Sequence, residues 1–402
     1  ALQAAQIAHY PNFKPQNGLR TRITFIDPNA DSEKDFFMGR FQNMFNLTRH
    51  RYLDLSNSSD LNIEWVDPVA SSDSKYYDIC EVKNRESGEI RHDNFIDIEW
   101  EFIKGNLEQD GVKSYLKVVA EEVKNNKKVF TIAICRPMAH EAIASALYMP
   151  EKVYEFAQQI LVYQREASDM IANITNAHNA FLYCDKIRPF GMADADFTID
   201  KDNYYRAQLA NYVYELMFDD VVVNETINTI INQIGDASVK RKMLEPRIRW
   251  KKLTMFNRWS NKYLANSFET KLRSLGICAT NVDLNLDVIS AKMKENKEPM
   301  AECEHNRWNV QQLLMGFRAY DKDELKEFLT PSNCKDENGV MDESKAKIVR
   351  KEYRRAWKIN KKAHLDICSY EKLKEIDKGV DVYDEILNAA VPYILKITEK
   401  AR

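Results

Sequence analysis

Residues 1–27 read ALQAAQIAHYPNFKPQNGLRTRITFID. Small and apolar residues at Ala1, Leu2, Ala5 and Ala8 recur at helical spacing. A loop follows, and Arg22 to Asp27 then reads as a strand that ends in an acid. A βαβ nucleotide-binding unit needs small residues where its helix packs on the sheet. It also needs a glycine turn just before that helix and an acid at the end of the second strand. The stretch reads as such a unit, with its first strand and glycine turn expected before Ala1. The alternative is an ordinary amphipathic helix before an ordinary strand.

Working outward, Ile96 to Ile103, Val129 to Cys135, Gln159 to Tyr163 and Ile187 to Phe190 read as buried parallel strands. Helical patterns over Lys34 to Leu53, Gly111 to Asn125 and Ala139 to Leu147 lie between them. Strand alternating with helix predicts an α/β parallel sheet. The polar, turn-rich stretch Leu55 to His92 reads as an insertion. From Asp202 to Ile234 the pattern is helical. KRKMLEPRIRWKK (Lys240 to Lys252) follows, with seven Lys/Arg against one Glu. An amphipathic helix runs from Met255 to Gly276, and the chain after Asp283 is helical and highly charged.

The 402 residues suggest two or three domains, and the net charge of −3 argues against a general nucleic-acid binder. Eleven glycines are few, and none spell GxGxxG or the phosphate-binding GxxxxGK[ST]. P-loop enzymes and ordinary complete dinucleotide dehydrogenases are disfavoured. Seven cysteines without a CxxC point to free thiols in a reducing, cytoplasmic compartment. No HExxH, GxSxG or kinase motif set is present, and Cys135 at a strand end reads more readily as a packed thiol than as a nucleophile.

Two stretches resemble known families. Ala1 to about Phe218 resembles the Rossmann-type NAD-binding domain (TrkA-N) of potassium-uptake regulators. That resemblance implies ribose binding by Asp27, an adenine-side step at Gly105 and Asn106, and phosphates near Cys135 and Arg136. Glu302 to Pro392 resembles the ryanodine-receptor repeat (RyR) domain. EHNRWNVQQLLMGFR supplies Glu304, His305, Arg307, Trp308, Gly316 and Phe317. HLDICSYEKL keeps His364, Tyr370, Glu371 and Leu373, with Leu365 and Ser369 where the family has prolines. Asp384 and Pro392 match the family's last spacing, and Tyr320 to Asn360 is an insertion relative to it. RWSNKYLANSFETKLRSLG, with Ser260, Asn261 and Lys271, resembles the helical connector before such domains. The implied division is 1–218, connector 219–290, and 291–402.

The set Glu304, His305, Trp308, Phe317, His364 and Tyr370 suits an aromatic-walled pocket for a nucleobase. Lys361 and Lys362 would meet phosphates at its rim. The competing reading puts Trp308 and Phe317 in the core. Cys303, His305, His364 and Cys368 make a zinc site conceivable, but the CxH spacing is a poor helical chelate, and no metal is expected. The basic run Lys345 to Lys362 reads as a solvated face rather than a nucleic-acid surface.

Together these readings predict a non-catalytic, ligand-sensing regulator that binds a nucleotide-type signal, with NAD or a related adenine nucleotide as cofactor. By resemblance its output is ion transport or nucleotide-triggered signalling, antiviral defence included. A homo-oligomer is expected, with a membrane anchor or channel partner upstream and a place in the cytoplasm or at the cytoplasmic face of a membrane. The alternatives are an NAD-dependent oxidoreductase and a structural interaction module without a small ligand.

Overall fold

The structure is a computed structural model that describes residues 1–13, 20–58, 60–83, 87–126, 128–165, 184–191, 201–219, 244–277, 285–335 and 339–399. It is a mixed α/β fold with parallel sheets. In the first half β1 (Thr21–Asp27), β2 (Arg49–Asp54) and β5 (Ile98–Lys104) form a parallel sheet in the order β1-β5-β2. β6 (Phe130–Ile134), β7 (Ala157–Tyr163) and β8 (Ile187–Phe190) form a second parallel sheet in that order.

β5 is central because IEWEFIK can be buried on both faces. Trp100 and Phe102 meet Phe25 and the helices α2 (Ala30–Arg40) and α3 (Gln42–Phe45), through Phe37 and Phe45. On the other face Glu99 and Glu101 are buried, which requires partners. Arg22 Nε donates to Glu99 at 2.9 Å and Arg51 Nε to Glu101 at 2.6 Å. The Tyr115 hydroxyl, from α4 (Asp110–Asn126), also donates to Glu101.

One expectation fails here. Lys34 to Leu53 is not one helix: α2 and α3 end at Phe45, and Arg49–Asp54 is β2. Pairing with the buried β5 decides its conformation, since tertiary contacts override local propensity. Leu55 to His92, read as an insertion, lies between β2 and β5 and is not confined to the surface. Its Val69, Tyr76, Ile79, Cys80 and Val82 join the main core. It also holds the short antiparallel pair β3 (Glu81–Lys83) and β4 (Ile90–His92).

Two short helices, α5 (Ala139–Leu147) and α6 (Glu151–Phe156), complete the second sheet's surroundings. The helical part follows: α7 (Lys201–Asp219), α8 (Leu244–Lys252), α9 (Met255–Asn266), α10 (Phe268–Ser274), α11 (Leu286–Glu295) and α12 (Lys297–Leu314). After the two-residue strand β9 (Arg318–Ala319) come α13 (Lys322–Leu329) and α14 (Glu343–Asn360). A second short strand, β10 (Ala363–His364), precedes α15 (Tyr370–Ile376) and α16 (Asp381–Glu399). The expected helix over Met255 to Gly276 divides at Ser267, whose hydroxyl bonds the Leu264 carbonyl. The stretch 220–234 of the expected Asp202–Ile234 helix lies outside the described residues.

One hydrophobic cluster joins the β5 face to α12, β9, β10 and α15, through Trp100, Phe45, Val310, Tyr320, Leu365 and Tyr370. A second joins α7, α9, α10, α11 and α16, through Val213, Leu264, Leu272, Ile289 and Val391. α12 therefore lies between two cores, which explains the burial of polar residues along it.

Candidate functional site

The buried polar residues of α12 decide what the helix can do. Glu304 is almost wholly inaccessible and accepts from Arg307 Nε at 2.8 Å, Arg307 Nη2 at 2.7 Å and Lys271 Nζ at 2.7 Å. Burial works against the charged carboxylate, but the Arg307 and Lys271 charges beside it outweigh that and hold its pKa at about 2. Lys271 gives a second hydrogen bond to Asn388, and Arg307 gives one to Gln311. A buried charge cluster satisfied in this way ties α10, α12 and α16 together.

Next to it opens a cavity of about 1060 Å³. α7 contributes Asn211 and Tyr214, and α9 contributes Phe256, Asn257, Ser260 and Asn261. α12 contributes Glu304, His305, Arg307, Trp308 and Gln312. The far wall is Arg354 and Lys358 from α14, His364 at the end of β10, Asp366 after it, Asp377 before α16, and Tyr383 and Asp384 on α16. The cavity thus sits where the helices preceding residue 290 meet those following it.

His305 donates through Nε2 to the Cys368 carbonyl at 2.9 Å, which Asn309 also bonds. That leaves Nδ1 as an acceptor, 3.7 Å from Asp384 Oδ2. Burial lowers the His305 pKa to about 4. Burial first, and then the Glu304 charge, raise that of Asp384 well above the carboxylate range. Burial thus favours the neutral form of both groups, and a protonated Asp384 could donate to the imidazole or to a ligand acceptor. His364 accepts at Nδ1 from the Asp366 N–H at 3.3 Å. Burial, followed by the charges of Lys358 and Arg354, pushes its pKa well below 6.5. Asp366 is raised by burial to about 6, although it accepts from Arg354 Nη2 at 2.7 Å.

This wall is therefore cationic at one end. Arg354 is held by Asp366 and Asp377, whereas Lys358 makes no ion pair among the described residues. The Trp308 and His364 rings meet edge to face at 5.0 Å, and Phe317 lies 6.2 Å from His364 and 5.5 Å from Phe256. Aromatic rings set edge to face, beside a lysine that makes no ion pair among the described residues, can hold a flat ligand carrying an anionic group.

The structure brings Glu304, His305, Trp308 and His364 to one concave surface. Phe317 and Tyr370 stand behind them: Tyr370 is buried, 5.9 Å from His305, with Lys374 over its ring. Lys361 and Lys362 do not line the cavity. Lys361 pairs with Glu324 at 2.9 Å and lies over Trp357, and Lys362 turns the chain with a φ of 49°. The rim cations are Arg354 and Lys358 instead, one helical turn apart and within the stretch read as an insertion. That i,i+4 spacing in the basic run was the available signal.

No three His, Cys, Asp or Glu groups gather as metal ligands among the described residues. The Cys368 thiol instead faces the Asp366 carbonyl at 3.6 Å. In the first half, Asp27 accepts the Asn29 N–H at 2.7 Å in its own turn. Gly105 has a φ of 155°, and a Cβ there would come within 2.7 Å of Val112. The adjacent Asn106 N–H donates to Gln109 at 2.7 Å. Arg136 grips Glu108 at 2.7 Å in a cleft of about 290 Å³, to which Ser145 and Tyr148 also contribute. Asp27, Gly105, Asn106 and the exposed Cys135 do not line that cleft. No protein-family model, curated protein or solved structure matches the chain.

Proposed function

We propose that this chain is a ligand-sensing regulatory protein in which a nucleotide-type signal occupies the cavity between α7 and α9 on one side and α12, α14 and α16 on the other. The observation that carries the reading is the lining itself: aromatic rings of Trp308, Phe256 and Tyr383 together with Lys358, which makes no ion pair among the described residues. A base against such rings gains ~1–3 kcal/mol, and a phosphate on Lys358 gains ~1.5–3 kcal/mol as a charge-assisted hydrogen bond. Burial favours the protonated form of Asp384, which in that form would offer a donor for the base edge.

Sensing is favoured over turnover because the wall's ionisable groups hold one another. Glu304 is saturated by Arg307 and Lys271, and Arg354 by Asp366 and Asp377. A ligand that touches α7 and α9 together with α12 and α14 biases how these helices pack, which is how binding becomes a signal. The likeness of Glu302–Pro392 to the RyR domain, and of the first half to a Rossmann-type NAD-binding domain, points the same way. It also suggests an output in ion transport or nucleotide-triggered signalling. Native mass spectrometry of the purified protein tests the reading: a co-purified mass in the nucleotide range supports it.

A further inference from the structure

α9 has two faces with different chemistry. Phe256, Asn257, Ser260, Asn261 and Leu264 line the cavity. Met255, Arg258, Trp259 and Lys262 stand at i, i+3, i+4 and i+7, a separate stripe of the same helix. Arg258 Nη2 donates to the Lys251 carbonyl at 3.0 Å, which ties this stripe to the end of α8. From Pro246 to Phe268 the sequence contains Arg247, Arg249, Lys251, Lys252, Arg258 and Lys262, and no Asp or Glu.

α8 and α9 both expose large apolar side chains. Met255 is 68% exposed, Ile248 50% and Trp259 44%. Lys251 and Lys252 are exposed and make no ion pair among the described residues, and the Lys262 ammonium lies 5.0 Å from the Trp259 ring. A basic surface in a chain of net charge −3 is a local feature, not the result of bulk composition.

We propose that this outward face of α8 and α9 docks on an anionic lipid surface, with Ile248, Met255 and Trp259 entering the headgroup boundary and Lys251 and Lys252 meeting lipid phosphates. The charge calls for an anionic partner. The apolar tips select among anionic partners: aliphatic Ile248 and Met255 gain nothing from a nucleic-acid backbone, whereas a bilayer interface accepts them together with an amphipathic Trp ring. No helix among the described residues is long and apolar enough to cross a membrane, so the contact is peripheral. Because the opposite face of α9 lines the cavity, docking and ligand occupancy act on the same helix.

The full chain is sedimented with vesicles of phosphatidylcholine containing phosphatidylglycerol, and with phosphatidylcholine alone. The proposal expects pelleting only with the anionic vesicles, weakened by salt. Ile248→Ser combined with Met255→Ser should reduce partitioning by about tenfold or more, with an unchanged far-ultraviolet circular dichroism spectrum. As a measurement on the native sequence, brominated acyl chains should quench tryptophan emission, and Trp259→Phe should remove most of that quenching. Absence of pelleting with anionic vesicles overturns the proposal, as does equal partitioning of the serine variant. Quenching that Trp259→Phe leaves intact, or capture by polyanionic RNA in place of vesicles, overturns it too.

Discussion

Replacing Glu304 with alanine tests the charge cluster that sets the floor of the cavity. The substitution leaves Lys271 and Arg307, whose side chains are 4% and 3% exposed, without their carboxylate. Arg307 keeps only its bond to Gln311, and Lys271 only its bond to Asn388. Removing one partner from a buried ion pair costs ~3–5 kcal/mol, because the remaining charge stays desolvated. Two cations are stranded here, so the upper end of that range applies. Lys271→Met removes a single bond to Glu304, which keeps both contacts to Arg307. Its cost should be ~1–3 kcal/mol. In the double variant the two losses should fall short of their sum, since Lys271 no longer needs the missing carboxylate. Urea denaturation followed by tryptophan fluorescence measures all three. A Glu304→Ala loss under ~1 kcal/mol, or a Lys271→Met loss as large as that of Glu304→Ala, would refute the description of Glu304 as the shared counter-charge.

Lys358→Ala should weaken a phosphorylated ligand by ~1.5–3 kcal/mol with little shift in the melting temperature, whereas Lys361→Ala, which disturbs the pair with Glu324 and the contact with the Trp357 ring, both away from the cavity, should leave affinity unchanged. Calorimetry with adenine nucleotides separates the two. His305 is lowered to about 4 from 6.5, so the unfolded chain takes up a proton first as pH falls. Its contribution is complete above pH 6.5 and disappears toward pH 4, a loss of up to ~3 kcal/mol. His305→Gln, which can still donate to the Cys368 carbonyl, should show a smaller fall in stability over that window, and an unchanged pH slope would count against a neutral imidazole. Asp27→Ala should weaken binding of an adenine dinucleotide by ~1–3 kcal/mol if the first half holds one, and calorimetry that detects no dinucleotide binding to the native chain would end that assignment.

The strands at β1, β5, β6, β7 and β8 were legible from β-branched and aromatic runs such as TRITFID and FTIAI, although β1 and β6 are only partly buried. β2 was not, because RHRYLD has no such run and acquires its conformation from pairing with β5. Tyr76, Ile79 and Val82 looked like residues of a polar loop, yet each fills the core, because three scattered apolar side chains leave no periodic trace. Within the cavity, His305 and Trp308 could be placed on one helix face from their spacing. Lys271 and Asp384 reach Glu304 and His305 only through the fold, from 33 and 79 positions away. Arg354 and Lys358 lay hidden in a run whose charges outnumber its cavity contacts. Lys361 and Lys362 follow in the same run, past the turn where α14 ends.

Native mass spectrometry with matched calorimetry decides whether the cavity binds a nucleotide-type ligand. One small molecule per chain is expected on the native protein, with loss of that mass from Lys358→Ala prepared in the same way and heat on returning a nucleotide to the stripped native chain. A bare mass for the native protein, together with no heat on titration with NAD or the adenosine phosphates, would contradict it.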